Sequence, residues 1–129
     1  MIYLDTNIVI YAVEDRSERG EKVRAALASL AEPVAASPLV LHECLVRPIR
    51  DKDLELCDLY REAYRHLHQV DLDLDVLVRA AELRAEFGVR TPDAIHLAAA
   101  QLARCDALWT NDQRLASASR GLAVDILKR

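Results

Sequence analysis

No excess of positive charge marks this chain: 17 Lys and Arg stand against 21 Asp and Glu, a formal net charge of −4. A protein that gathers nucleic acid through its overall field is basic, so bulk attraction to a polyanion is excluded. Contact with one would need a local arginine patch, or cations that reverse the sign of an acidic pocket. Paired cysteines are missing as well. Cys44, Cys57 and Cys105 are odd in number and widely spaced, and none belongs to a C-x-x-C pair. That argues against a disulfide framework and a cysteine zinc site, and predicts reduced, buried thiols. The apolar start has no basic residues ahead of it and is interrupted by Asp5 and Asn7. Neither a signal peptide nor a membrane anchor is expected, and a cytoplasmic setting is. No internal repeat or low-complexity linker divides the chain.

What is present suits one compact domain over residues 1–129. Apolar residues make up 52% and charged residues 29%, enough to build a core and too apolar for a disordered tail. Met1 to Leu4 reads as a buried strand stopping at Asp5, and Thr6-Asn7 opens a helix. Ser17 to Leu30 carries Val23, Ala26, Leu27 and Leu30 at helical spacing. Val34 to Ala36 is a short strand. A helix then starts at Ser37-Pro38, where proline loses no hydrogen bond, and is expected to reach about Arg47 because Pro48 would break its interior. Leu54 to Leu67 is amphipathic. Gln69 to Leu72 is a candidate strand, and Asp75 to Phe87 a helix closed by Gly88. Thr91-Pro92-Asp93 starts a helix running to Ala103. Ala107 to Thr110 and Leu122 to Ile126 complete the strands. Short apolar strands alternating with helices predict an α/β fold with a parallel sheet covered on both faces.

In such sheets ligands bind beyond the carboxyl ends of the strands, where helix N-termini also point. Asp5 and Asp112 each follow a strand, Asp93 lies in a first helical turn, and Glu43 lies within the helix after the second strand. Each acid also has an ordinary explanation. Asp93 suits the helix macrodipole, and Asp112 suits a cap or a turn with Asn111. Glu43 and Arg47, four apart, suit a solvated ion pair. Asp5 is hardest to dismiss, because a carboxylate ending a buried strand is costly unless donors meet it. His96 follows Asp93 by three residues on one helix face, and a locally packed role keeps it off the catalytic set. His66 and His68 share no helical face, so zinc is not expected there, and His42 reads as a surface residue.

Together, Tyr3-Leu4-Asp5-Thr6-Asn7, Thr91-Pro92-Asp93-Ala94-Ile95-His96-Leu97-Ala98 and Leu108-Trp109-Thr110-Asn111-Asp112 resemble the PIN domain family. The likeness is greatest to the small VapC-type toxins of toxin–antitoxin pairs, and it covers nearly the whole chain. It implies a three-layer α/β/α fold with a central parallel sheet of four or five short strands. It also implies an endoribonuclease that hydrolyses RNA phosphodiester bonds with Mg²⁺ or Mn²⁺. Asp5, Glu43, Asp93 and Asp112 match the family's catalytic, metal-holding acids. Thr6 and Asn111 match the polar neighbours that would orient those carboxylates. Glu43 suits that place better than Glu32, at the wrong end of its strand, or Glu55, in the next helix. The resemblance further implies a small antitoxin partner and a homodimer, with Leu54 to Leu67 offering apolar surface to either.

The chemistry agrees with that donor set. Hard cations prefer carboxylate oxygens, stabilise the charge that builds on a phosphodiester, and activate water. Crowded carboxylates repel one another, so one of them should titrate high without metal. Arg47, Arg50, Arg90 and Arg114 could contact phosphates, but each reads first as an ordinary surface charge. Two other acid-based designs fit less well. A haloacid-dehalogenase-like phosphatase needs a second Asp where this chain has Asn7. A receiver domain needs a lysine after a late strand, and the only late lysine is Lys128. A non-catalytic PIN-like interaction module, or a housekeeping nuclease without an antitoxin, remains the alternative within the same fold.

Overall fold

The computed structural model describes residues 1–128. Five strands form one sheet in the order β3-β2-β1-β4-β5, every neighbouring pair parallel. They are β1 (Ile2–Leu4), β2 (Val34–Ala36), β3 (His68–Gln69), β4 (Ala107–Trp109) and β5 (Ala123–Val124). Helices α1 (Thr6–Glu14) and α2 (Glu18–Ala28) link β1 to β2. Helices α3 (Pro38–Arg50) and α4 (Leu54–Arg65) lead to β3, and α5 (Leu74–Phe87) and α6 (Thr91–Leu102) lead to β4. A short α7 (Gln113–Ala118) precedes β5.

The central strands are apolar because both faces are covered. Tyr3, Ala35, Ala36 and Leu108 are fully buried, the near-continuous apolar runs expected of a parallel sheet with helices on each side. On α6, Ala94, Leu97, Ala98, Ala99 and Ala100 are all fully buried. Its alanines let the helix lie close against the sheet. The three cysteines are buried and unpaired, as expected. Gly88 ends α5 in the left-handed region at φ 68°, the cap glycine supplies without a Cβ penalty.

Of the expected boundaries that moved, three have a visible cause. The helix from Pro38 does not stop at Arg47: it runs through Pro48 to Arg50. Proline has no N–H for the carbonyl of Cys44, a loss that ordinarily breaks a helix. Here the ring is fully buried, and Asp51 N–H closes the last turn on the Arg47 carbonyl at 2.9 Å. β3 is His68–Gln69 and not Gln69–Leu72. Val70 still donates to the Ala36 carbonyl at 2.9 Å. The chain then leaves the sheet so that Asp73 can cap α5 through Val76 N–H. β5 is likewise shorter than Leu122 to Ile126, because the Asp125 carboxylate accepts from Leu127 N–H at 3.0 Å and turns the chain into a 3₁₀ helix.

Candidate active site

The sheet changes direction of winding between β1 and β4: from β1 the chain moves first towards β2, and β4 lies on β1's other side. In open α/β sheets ligands bind beyond the strand ends at such a point. Asp5 follows β1 and is 6% exposed. Its backbone N–H donates to the Trp109 carbonyl at 3.0 Å, extending the β1–β4 pairing by one residue. The carboxylate meets two donors. Thr6 N–H reaches Oδ1 at 2.8 Å, and the Thr110 hydroxyl donates to Oδ2 at 2.7 Å. The burial cost anticipated for Asp5 is therefore offset by an N-cap bond and a buried hydroxyl.

Asp93, in the first turn of α6, is half-buried, and its Oδ2 lies 3.5 Å from Arg90 Nε. The macrodipole and Arg90 both favour its charged form. They are outweighed: burial, together with the nearby charges of Asp112 and Asp5, raises its carboxyl above the ordinary range. Asp93, Asp112 and Asp5 thus share one neighbourhood, and one of them titrates high, as crowding requires. Asp112 also serves as the N-cap of α7, accepting from Arg114 N–H at 2.9 Å. Its own N–H donates to Thr110 Oγ1 at 3.0 Å. Thr110, 2% exposed, therefore ties Asp112 to Asp5.

Glu43 departs from its simplest expectation. It forms no pair with Arg47, whose guanidinium instead reaches Glu14 at 2.5 Å across to α1. Glu43 turns inward, where Oε1 accepts from the Thr6 hydroxyl at 2.7 Å and lies 2.5 Å from His96 Nε2. Burial works to raise its carboxyl, but the bonds from His96 and Thr6 prevail and hold it below the usual range. His96 is packed, at 1% exposed, and it also reaches the site, with Nε2 4.0 Å from Asp5 Oδ1. Thr6 donates to Glu43, whereas the Asn111 amide donates to the Tyr11 hydroxyl at 2.9 Å, and the hydroxyl that meets Asp5 is that of Thr110. Sequence reasoning passed over Thr110 and left His96 aside. The signal for His96 was its place between Ile95 and Leu97 in an apolar helix, since a buried imidazole needs partners. His66 pairs with Glu62 on the surface, and His42 and His68 are exposed.

All four acids lie along the carboxyl edge of the sheet. Their oxygen-only donor set fits a hard divalent cation. Among the described residues, however, no three His, Cys, Asp or Glu side chains already close on a single ion position. Arg90 and Arg114 are exposed beside the acids, whereas Arg50 pairs with Asp51 and Arg47 with Glu14.

A parallel α/β sheet with carboxylates at its winding switch defines a class of α/β folds that offer an acidic site at the strand ends. The match to a family is specific. The PIN domain model matches residues 2–121, and the chain belongs to that family. No curated protein matches. Among solved structures, a toxin–antitoxin complex from Klebsiella pneumoniae is 27% identical with TM-score 0.81, covering 98% of each chain. VapBC2 from Rickettsia felis, bound to a promoter DNA fragment, is 22% identical with TM-score 0.76, covering 96% of this chain and 98% of that one. VapC20 of Mycobacterium tuberculosis, described as a sarcin-ricin loop cleaving toxin, is 17% identical with TM-score 0.78, covering 92% and 95%. No helix among the described residues is long and apolar enough to cross a membrane.

Proposed function

We propose that this chain is a divalent-metal-dependent endoribonuclease acting as the toxin of a toxin–antitoxin pair. The observation that carries the reading is Asp93, raised by burial and by Asp112 and Asp5 at the sheet's winding switch. A fold that keeps like charges together at a half-buried carboxylate is suited to bind cations there. Membership of the PIN domain family and the likeness to toxin–antitoxin structures, one of them described as a sarcin-ricin loop cleaving toxin, support the choice of RNA and of a toxin's role.

Asp5, Asp93 and Asp112 would hold Mg²⁺ or Mn²⁺, with Glu43 completing the set. A bound hard cation would stabilise charge on the phosphodiester and lower the pKa of water. The chain's own residues do the rest. Thr110 and Thr6 fix the carboxylate orientations through the bonds to Asp5 and Glu43. Arg90, 70% exposed beside Asp93, is placed to meet a phosphate.

The protein's α3–α4 side exposes Val46, Ile49, Leu54 and Leu59, apolar surface to which we assign an antitoxin helix or a second copy in a homodimer. The direct test is cleavage of a structured RNA with Mg²⁺ or Mn²⁺, compared with Asp5→Asn and Asp93→Asn. Cutting that needs the metal and is lost in both variants supports the reading. Absence of metal-dependent cutting by folded wild-type protein overturns it.

A further inference from the structure

We propose that His96 is a positioning residue for Glu43. Through the buried chain Ser37–Tyr3–His96 it holds one Glu43 carboxylate oxygen and leaves the other for the cation. This rests on the nuclease reading above and adds to it a residue that touches neither metal nor substrate.

Both ring nitrogens of His96 are engaged out of reach of water. Nδ1 lies 2.8 Å from the Tyr3 hydroxyl, and Nε2 lies 2.5 Å from Glu43 Oε1. Tyr3 is itself fully buried, and its hydroxyl lies 2.8 Å from Ser37 Oγ. A carboxylate has no proton to give, so Nε2 donates to Glu43. In the neutral ring Nδ1 then accepts from Tyr3, whose oxygen accepts in turn from Ser37. The order of donors along the chain fixes the tautomer and the ring plane together.

Ser37 lends its hydroxyl to this chain and not to a helix cap. It occupies the N-cap of α3, where a serine side chain ordinarily accepts from the helix backbone, yet it makes no cap bond. Its hydroxyl is turned to Tyr3 instead. Three segments are thereby locked to one ring: β1 through Tyr3, the start of α3 through Ser37, and α6 through His96. The effect falls on Glu43. Its Oε1 takes both protein donors, His96 and the Thr6 hydroxyl, and among the described residues Oε2 meets none.

A merely structural histidine and a positioning one respond differently to side chains that keep only part of the chain. Gln can place an amide N–H near the position of Nε2. Asn can reach only the Tyr3 side, and Phe neither. Expected for H96F and H96N is a kcat about ten- to hundredfold lower on Mn²⁺-supported RNA cleavage, with KM for RNA unchanged. Mn²⁺ affinity measured without RNA weakens in the same two variants, while H96Q stays near wild type in both readouts. The histidine ¹⁵N–¹H correlation spectrum of the full chain without added metal should show a proton on Nε2 of His96. A bare Nε2 with the proton only on Nδ1 overturns the proposal, as does H96N matching H96Q in kcat and Mn²⁺ affinity. If H96F does not fold, the pair H96N and H96Q decides alone. Wild-type protein that neither cuts RNA nor binds Mn²⁺ more tightly than D93N removes the nuclease reading instead. That outcome differs from an active wild type whose His96 variants are unimpaired.

Discussion

Burial, with Asp112 and Asp5 close by, raises the Asp93 carboxyl above its ordinary value, so the fold favours the protonated acid. The stability this contributes is fully present below the unfolded value of about 3.9 and is lost as pH rises through the raised folded value. At neutral pH without divalent metal, the charged Asp93 therefore opposes folding. Asp93→Asn is expected to have a higher melting temperature than wild type at pH 7, by a margin that closes as pH falls towards about 4. The same variant loses RNA cleavage by at least about a hundredfold, since a ligand matters more than the groups around it. Calorimetry across pH checks the first part, and equal melting at pH 7 contradicts it. Thr110 argues in the other direction. Thr110→Val keeps the shape but removes the donor to Asp5 and the acceptor for Asp112 N–H. It should cost about 1–3 kcal/mol in denaturant unfolding, and Thr110→Ser should recover most of that loss.

Two glycines set how the elements meet. A Cβ on Gly20 would lie 1.8 Å from the Asp15 carbonyl oxygen, so α2 can start against the end of α1 only without a side chain there. Gly20→Ala is expected to destabilise by about 1–3 kcal/mol, as overpacking does. Gly88→Ala meets no atom. It suffers only from the positive φ, about 1–2 kcal/mol, and Gly88→Asn should cost less. The ratio of the two alanine effects in urea unfolding separates a clash from a backbone preference. This glycine cap was legible in the sequence because it depends on residues near one another in the chain. The strand-ending acids and the alternation of strands with helices were legible for the same reason. Partnerships between distant residues were not. Spacing offers Glu43 an arginine four residues on, but Arg47 is drawn to Glu14 on another helix. Glu43 is taken by Thr6 and His96, which lie 37 and 53 positions away. Pro48 shows the same limit at the element scale, since burial holds a turn that local geometry alone would end.

At the scale of the whole molecule, an acidic protein with net charge −4 keeps several of its acids together at one edge of its sheet. Any cation reduces that repulsion a little by screening, within a Debye length of about 10 Å at 0.1 M salt. A cation bound by Asp5, Asp93 and Asp112 acts differently, because it is linked to the folded state alone. At a free concentration a hundredfold above its dissociation constant it adds about 2.7 kcal/mol. For a domain of this size that gain corresponds to a rise of roughly 10 °C in melting temperature. Mn²⁺ should therefore stabilise wild type well beyond NaCl of equal ionic strength, and EDTA should reverse the gain. The increment should also grow between acidic and neutral pH, since Asp93 must be ionised to bind and its carboxyl is raised. Asp5→Asn and Asp93→Asn should respond to Mn²⁺ only as they respond to NaCl. A wild type that gains no more from Mn²⁺ than from NaCl would mean that the crowded acids do not form a cation site. The raised Asp93 would then be a cost of the fold with no ligand to relieve it.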